Sequence, residues 1–181
     1  GHVQLPAARR QVRRAALPRP ARRELGCAKL DLPSVGRLLG LQLVPVHHDR
    51  ALALRWKQVV AAYHYLGYQP LCGAQMRYLI VCAHGIVGAL SFSAAALKVR
   101  ARDRWIGWSE AARRTHLRYV VCNSRFVIVP QVRVPNLASK VLGLAAQRLG
   151  EDWQQRYGYA PLLLETYVEA RRFGGICYRA A

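Results

Sequence analysis

The residues best suited to chemistry lie in one stretch, Val120 to Ser139, which reads VVCNSRFVIVPQVRVPNLAS. Two short apolar runs predict strands, and the polar pair Asn123-Ser124 between them predicts a turn. A loop containing Arg133 then leads to Asn136 and an amphipathic helix. Unpaired backbone N–H groups and the helix dipole favour a negative charge at a helix N-terminus. The stretch therefore predicts an anion site.

The charge of the whole chain points to a polyanionic partner. The formal net charge is +19, from 28 Lys and Arg against 9 Asp and Glu. Most of the basic residues are Arg, whose guanidinium donates paired hydrogen bonds to phosphates and to guanine edges. This excess favours nucleic acid over an anionic membrane surface. A GC-rich genome would explain the use of Arg in place of Lys, but it would not explain the shortage of acids.

The first 25 residues form a basic arm that contains seven Arg and three Pro. We expect this arm to be unstructured on its own, because its composition offers little apolar surface to bury. Its role is either to follow a DNA backbone or to link domains, and both roles can hold together. The arginines predicted to contact DNA here are Arg9, Arg10, Arg13 and Arg14.

The five cysteines favour a reducing compartment. They are widely spaced, mostly lie in apolar runs and form no C-x-x-C pair. We interpret them as reduced core thiols rather than as a zinc site or a disulfide framework. No apolar run has the length of a membrane span and no signal peptide is evident, so we expect a cytoplasmic protein without a membrane partner.

Apolar periodicity predicts a mixed α/β sheet with helices on its faces. A helix begins near Ala51 and stops at Gly67, which places His64 and Tyr65 on its last turn. Met76–Cys82 and Ile86–Ser93 form a hairpin. The other predicted elements are strands at Leu41–Val46, Trp105–Trp108, Val120–Val121, Phe126–Val129, Leu162–Val168 and Gly175–Ala180, and helices that begin after Ser109 and Asn136.

Seven motifs, taken in order, resemble those of the DruA family, which is named for a component of the Druantia anti-phage defence system. The resemblance extends from about residue 1 to the end of the chain. The motifs are YHYLG (Tyr63–Gly67), GALSFSAAA (Gly88–Ala96), RDRWIGW (Arg102–Trp108), NSRFVIVP (Asn123–Pro130), VPNLASKVL (Val134–Leu142), LLETYVE (Leu163–Glu169) and GGICYRAA (Gly174–Ala181).

This resemblance implies a DNA-binding component of an anti-phage defence or mobile-element system. Other defence proteins, such as a helicase, would be its partners. Members of the family are usually longer at both ends. The resemblance therefore implies that residues 1–25 are the tail of a winged-helix-like N-terminal region, and that residues 26–181 form one domain truncated at its C-terminus.

A more distant resemblance is to the Mom-type DNA-modifying proteins of phages, which have a GNAT (acyltransferase-like) fold. It implies a GNAT-like α/β fold with a mixed, mostly antiparallel sheet flanked by helices. It also implies that His64, Tyr65 and Glu169 bind iron or another divalent metal, although relatives usually have Asp at the last position. Imidazole, phenolate and carboxylate are donors that suit iron.

GNAT acyltransferases hold the pyrophosphate of their cofactor in a Gly-containing loop at a helix N-terminus. The matching loop here, QVRVPN at residues 131–136, has no Gly, and Pro135 lacks an N–H donor. Acyl-CoA binding is therefore not supported. The residues predicted to hold a phosphate or an unidentified cofactor are Arg125, Arg133, Asn136 and Ser139.

The first functional hypothesis is metal-dependent modification of DNA bases. The catalytic candidates are His64, Tyr65, Glu165 and Glu169, of which Glu165 would act as a base or support the others. Ser91 and Asn123 are further candidates for the same site.

Two other functions remain open from the sequence. A nuclease or transposase-like enzyme would need clustered carboxylates, and the motifs contain only Asp103, Glu165 and Glu169. A non-catalytic DNA-recognition module serving a helicase would use Arg102 and Arg104 on phosphates and aromatic rings on bases. Two observations weaken these two hypotheses. Asp103 stands between two arginines, as expected of a structural ion pair, and Trp105 and Trp108 could equally pack in the core.

Overall fold

The computed structural model describes residues 25–181, so the four arginines predicted to bind DNA from the arm lie outside the described residues. In chain order the helices and strands are β1 (Leu30–Asp31), β2 (Gln42–Pro45), α1 (Arg50–Tyr63), β3 (Gln75–Cys82), β4 (Gly85–Ala94), α2 (Arg100–Ile106), α3 (Glu110–His116), β5 (Val120–Ile128), β6 (Val132–Arg133), α4 (Leu137–Tyr157), β7 (Leu163–Thr166) and α5 (Ile176–Arg179).

The main sheet has the strand order β2-β3-β4-β5-β7. Its first three pairings are antiparallel, and only β5 and β7 run parallel. The two-residue strands β1 and β6 form a separate parallel pair, which the sequence did not predict. The structure confirms a mixed α/β domain with a mostly antiparallel sheet flanked by helices, and it confirms the β3–β4 hairpin.

Helix α1 forms where the sequence predicts it. The Asp49 side chain accepts hydrogen bonds from the backbone N–H groups of Ala51 and Leu52 and so caps the helix. Trp56 is buried, and its indole Nε1 donates to the carbonyl oxygen of Leu90 at 3.0 Å, which joins the helix to β4. The helix ends at Tyr63, so His64 and Tyr65 lie in the turn that follows it rather than on its last turn.

Helix α4 buries an apolar face that includes Leu137, Val141 and Trp153. It is tied to the sheet by Asp152, which accepts from the Tyr78 hydroxyl at 2.7 Å, and by Arg148, which donates to the carbonyl oxygen of Leu43 at 2.7 Å. The predicted start at Asn136 is confirmed. However, the side chain of Asn136 makes no capping hydrogen bond, and the residue has a left-handed backbone with φ of 60°.

Two predicted strands are wrong because tertiary contacts override local pattern. Trp105–Trp108 is not a strand: helix α2 extends to Ile106 and is capped by Gly107, which has the left-handed backbone of a helix C-cap with φ of 74°. Gly175–Ala180 is not a strand either, since it contains α5. There the hydroxyl of Tyr178 donates to Asn123 Oδ1 at 2.7 Å, which fixes the segment against β5.

The predicted turn at Asn123-Ser124 is also wrong, because β5 is continuous. Its register against β4 changes by one residue at this point: Ser91 lies opposite Arg125, and Phe92 lies opposite Asn123. Ser124 is therefore the extra residue of a β-bulge, which increases the local twist and redirects the side chains that follow. A polar pair inside an apolar run marks a bulge here rather than a turn.

A buried arginine connects α2 to the sheet. Arg102 is 7% exposed and forms ion pairs with Asp103 at 2.9 Å and with Glu165 on β7 at 3.3 Å. It also donates to the carbonyl oxygen of Ala96. The predicted contact between Arg102 and DNA is therefore corrected: the guanidinium is in the interior. The expected structural ion pair of Asp103 is present.

We predict that Arg102→Ala destabilises the domain by about 3–5 kcal/mol, because it leaves the Glu165 carboxylate buried without its partner. For a domain of this size the melting temperature should fall by roughly 10 °C. Thermal or urea unfolding would measure the change. Arg104→Ala is the matched control, since Arg104 is exposed on the same helix, and it should leave stability nearly unchanged. Equal stability of the two variants would contradict the structural role of the Arg102–Glu165 ion pair.

Candidate functional site

A cavity opens where the pairing between β5 and β7 ends. The last residues paired in this parallel ladder are Asn123 and Thr166. Beyond them β5 continues from the Ser124 bulge, whereas the chain after β7 contains Tyr167, Val168 and Glu169. The residues on both sides of this divergence line the same cavity. The end of the ladder is therefore what creates the site.

The cavity has a volume of about 480 Å³, which lies within the usual range for small-molecule sites. Its wall is contributed by the turn after α1, the end of β4, the middle of β5, the chain after β7 and the start of α5. The polar and aromatic residues in this lining are His64, Tyr65, Ser93, Asn123, Ser124, Arg125, Phe126, Tyr167, Glu169, Phe173 and Tyr178, accompanied by the thiols of Cys72, Cys122 and Cys177.

His64 is a buried, neutral side chain in this wall. Burial, followed by the nearby positive charge of Arg125, lowers its pKa to about 4. Its Nδ1 accepts a hydrogen bond from the backbone N–H of Leu66 at 3.2 Å. A neutral imidazole carries one N–H, so the proton lies on Nε2. His64 is therefore a hydrogen-bond donor at Nε2.

Arg125 supplies a half-buried positive charge. Its Nε donates to the carbonyl oxygen of Gly67 at 3.2 Å, and its Nη1 donates to the carbonyl oxygen of Ser124 at 2.6 Å. No ion pair with a carboxylate forms among the described residues, and burial lowers the pKa of the guanidinium from its ordinary value. A desolvated, unpaired cation favours a ligand that brings hydrogen-bond acceptors.

The fold brings the three predicted metal ligands to one cavity. The rings of His64 and Tyr65 are stacked, with centroids 4.8 Å apart. The guanidinium of Arg172 lies 5.4 Å from the centre of the Tyr65 ring and pairs with Glu169 at 3.4 Å. Tyr65 and Glu169, 104 positions apart in the sequence, are thus linked through one arginine.

These residues do not fit a metal site in this arrangement. With its proton on Nε2 and its Nδ1 occupied by Leu66, His64 has no free lone pair for a cation. Glu169 is paired with Arg172, and the charge of Arg125 would repel a dication. No group of three or more His, Cys, Asp or Glu side chains in the described part of the chain could hold a metal ion.

Glu165 lies beside the cavity rather than in its lining. It pairs with Arg102, and its hydrogen bond to Tyr167 acts together with burial to raise the pKa of that hydroxyl. Burial and the charge of Glu165 likewise raise the pKa of Cys122 to about 11, so its thiol is protonated at neutral pH. Glu165 therefore holds the wall in place. Because Glu165 is paired with Arg102, it does not join the carboxylate cluster that a nuclease needs.

Ser91 and Asn123 also support the wall. Asn123 Nδ2 donates to the carbonyl oxygen of Ser91 at 2.9 Å, and its Oδ1 accepts from Tyr178. The hydroxyl of Ser91 lies 3.0 Å from that of Ser124. These bonds span the bulge and lock β4, β5 and α5 together.

The residues predicted to bind a cofactor are divided between two places. Arg125 lines the cavity, whereas Arg133, Asn136 and Ser139 lie at the start of α4 and are not part of the lining. The loop before α4 already uses part of its donors: the Val132 N–H bonds to Val129, and the Leu137 N–H bonds to Val134. The anion site expected at this loop stays a prediction, and Arg125 is a second candidate in the cavity.

Sequence reasoning missed three wall residues, Cys122, Tyr167 and Phe173. Tyr167 lies in the LLETYVE motif, two residues after Glu165, so the sequence could have identified it as a site residue. No sequence signal marked Phe173, because only the fold brings the chain after β7 next to Tyr65. The ring centroids of Phe173 and Tyr65 are 5.4 Å apart.

The fold and the cavity define a mixed α/β protein with a basic, aromatic-walled pocket at the divergence of two parallel strands. The family model described as Druantia protein DruA matches residues 27–181. The chain belongs to the DruA family, and it is accordingly a protein of an anti-phage defence system. Comparisons with curated proteins and with solved structures gave no match. The GNAT-like assignment and the likeness to Mom-type proteins therefore stay predictions.

None of the helices in the described residues has the length and apolar character needed to cross a membrane.

The lowered pKa of His64 predicts a pH-dependent stability. The folded state binds the proton more weakly than the unfolded chain, whose histidine has a pKa near 6.5. Stability contributed by the neutral ring is therefore complete above pH 6.5 and is lost as pH falls to about 4, by at most about 3 kcal/mol. Urea unfolding at pH 7.5 and 4.5 would measure this loss.

His64→Gln is the control, because glutamine does not titrate and can still accept from Leu66. The variant should lose less stability on acidification than the natural chain. An NMR titration should place the imidazole pKa well below 6.5, with the proton on Nε2. A pKa near 6.5, or the same acid sensitivity in both chains, would contradict the buried neutral state.

Proposed function

We propose that the protein is the DNA-binding component of its defence system, on a GNAT-like scaffold. The observation that carries this proposal is the imbalance of charge within the folded part. Residues 25–181 contain 21 Lys and Arg against 8 Asp and Glu. Most of those acids are already occupied: Asp49 caps α1, and Asp103, Glu110, Asp152, Glu165 and Glu169 form ion pairs.

The surplus positive charge is on the surface. Arg100, Arg104, Arg133, Arg171 and Arg179 are exposed and take part in none of the ion pairs between described residues. Exposed arginines without acidic partners neutralise phosphates at little desolvation cost, and they release counterions from DNA when they do. The basic arm would add to the same attraction.

We propose base modification as the activity of the cavity, with His64 and Arg125 as the polar groups that face the substrate. Both donate hydrogen bonds, so they would orient an acceptor-bearing group. Metal-dependent modification through His64, Tyr65 and Glu169 is disfavoured by the proton on His64 Nε2.

A second candidate is a recognition module that serves a partner such as a helicase. It is favoured by Trp105, which is 77% exposed on α2 and therefore does not pack in the core. The exposed Arg100 and Arg104 are on the same helix. A ring and two cations on one surface helix suit contact with a nucleic acid strand.

The proposal predicts tight, salt-dependent binding of the full chain to duplex DNA. Fluorescence anisotropy at several salt concentrations should give a strongly negative slope of log K against log salt. Arg104→Ala should weaken binding and reduce the slope by about 0.9 if the residue meets one phosphate. Arg114→Ala is the matched control, because Arg114 is exposed but paired with Glu110 at 2.8 Å.

Absence of binding at low salt, or equal losses in the two variants, would contradict the proposal. Mass spectrometry of nucleosides from bound DNA, after incubation with candidate donors, separates the two candidates. A new nucleoside that disappears in Arg125→Met supports modification. Unchanged nucleosides alongside tight binding support the recognition module.

A further inference from the structure

We propose that the cavity receives one unstacked nucleobase from a bound DNA strand. The base would direct a hydrogen-bond acceptor edge towards Arg125 and His64 and place its face against the aromatic rim. This inference rests on the proposed DNA binding and deepens it, because it assigns the cavity a class of ligand.

The rim of the cavity presents aromatic rings to solvent. Tyr65, Tyr167 and Phe173 are 39%, 55% and 50% exposed and all line the same opening. Large exposed rings gathered around one cavity mark a binding surface rather than a core. Every nucleobase has a π-face, so such rings bind unpaired bases with little dependence on sequence.

Two of these rings are held rigidly. Tyr65 is stacked on His64 and contacts both Phe173 and Arg172. Burial and the neighbouring Glu165 raise the pKa of the Tyr167 hydroxyl, and the buried Arg102 pairs with that carboxylate. A ring that is already ordered loses little conformational entropy when a base stacks on it.

The polar groups of the wall point to an acceptor edge on the base. Arg125 Nη2 makes no hydrogen bond within the described protein, and its charge has no carboxylate partner. With its Nδ1 accepting from Leu66, His64 offers Nε2–H. These two groups therefore donate, whereas the Glu169 carboxylate of the same lining is paired with Arg172. Guanine carries two adjacent acceptors, O6 and N7, whereas adenine presents a donor amino group beside N7. Arg125 and His64 therefore match guanine better than adenine.

The strand outside the cavity would meet positive charge. Arg171 and Arg172 directly precede Phe173 in the sequence, and Arg171 is exposed without an ion pair among the described residues. A phosphate flanking the extruded base could be neutralised there, while the base itself enters the apolar cavity. Extrusion costs least when the base lacks a pairing partner.

Binding of the full chain to three duplexes of one sequence tests this proposal. The first is fully paired, the second has one guanine opposite an abasic site, and the third has adenine opposite that site. We expect the unpaired guanine to strengthen binding at least fivefold over the paired duplex, and unpaired adenine to do so less. Phe173→Ala and Arg125→Met should each remove most of the gain.

Leu39→Ala is the control for surface substitution, since Leu39 is 68% exposed and is not part of the cavity lining. It should keep the full preference. Because Phe173 is on the surface, its variant remains informative even if Arg125→Met fails to fold, which circular dichroism would reveal.

The outcomes separate this inference from the proposed function. No binding to any duplex would overturn DNA binding itself. Tight binding to all three duplexes without a preference would overturn only the base-binding cavity. An equal gain with adenine, or a gain that survives in both variants, would overturn the assignment of Arg125 and the aromatic rim.

Discussion

The site depends on the point at which two parallel strands stop pairing. β5 and β7 share only four residue pairs, from Val120–Leu163 to Asn123–Thr166. The Ser124 bulge follows at once, and it changes the direction of β5. Had the ladder continued, side chains would fill the space that is now the cavity. The bulge thus converts a strand interior into a wall in which Arg125 is half-buried, next to the turn after α1.

Buried polar contacts keep this divergence from closing or collapsing. Arg102 ties β7 to α2 through Glu165, and Glu165 in turn fixes Tyr167. On the other side, Asn123 joins β4 to α5 through Ser91 and Tyr178. Asn123 uses both atoms of its side-chain amide inside the protein, and Arg102 uses Nε and Nη1. Such pairing offsets the cost of polar groups in a low-dielectric interior. Several motif residues that suggested chemistry are therefore positioning residues, whereas Arg125 and His64 line the cavity as hydrogen-bond donors.

Local patterns predicted the elements whose stability is local. Helix α1 was predicted correctly from the helical spacing of Trp56, Val59 and Val60. The β3–β4 hairpin was predicted correctly from a short turn between two apolar runs. Long-range effects explain the failures. Nothing near Trp105 shows that Arg102 will be buried against Glu165, and nothing in Asn123-Ser124 separates a bulge from a turn. Gly175, which has φ of 67°, precedes the helical turn in which Tyr178 bonds to the distant Asn123.

The candidate site was predictable in its residues but not in its chemistry. His64, Tyr65, Arg125 and Glu169 do meet in one cavity, as the resemblance to Mom-type proteins implied for His64, Tyr65 and Glu169. Which nitrogen of His64 carries the proton depends on the Leu66 N–H, and the availability of Glu169 depends on Arg172. Such details decide between a metal ligand and a hydrogen-bond donor, and they exist only in three dimensions.

The central claim is that DNA enters the protein at this cavity. Photocrosslinking tests it most directly: DNA with a single 6-thioguanine at the unpaired position is bound, irradiated and digested, and the crosslinked peptides are sequenced by mass spectrometry. The account predicts adducts on peptides that carry Tyr65, Tyr167 or Phe173. Adducts confined to the α2 surface around Trp105, with none at the cavity, would contradict it.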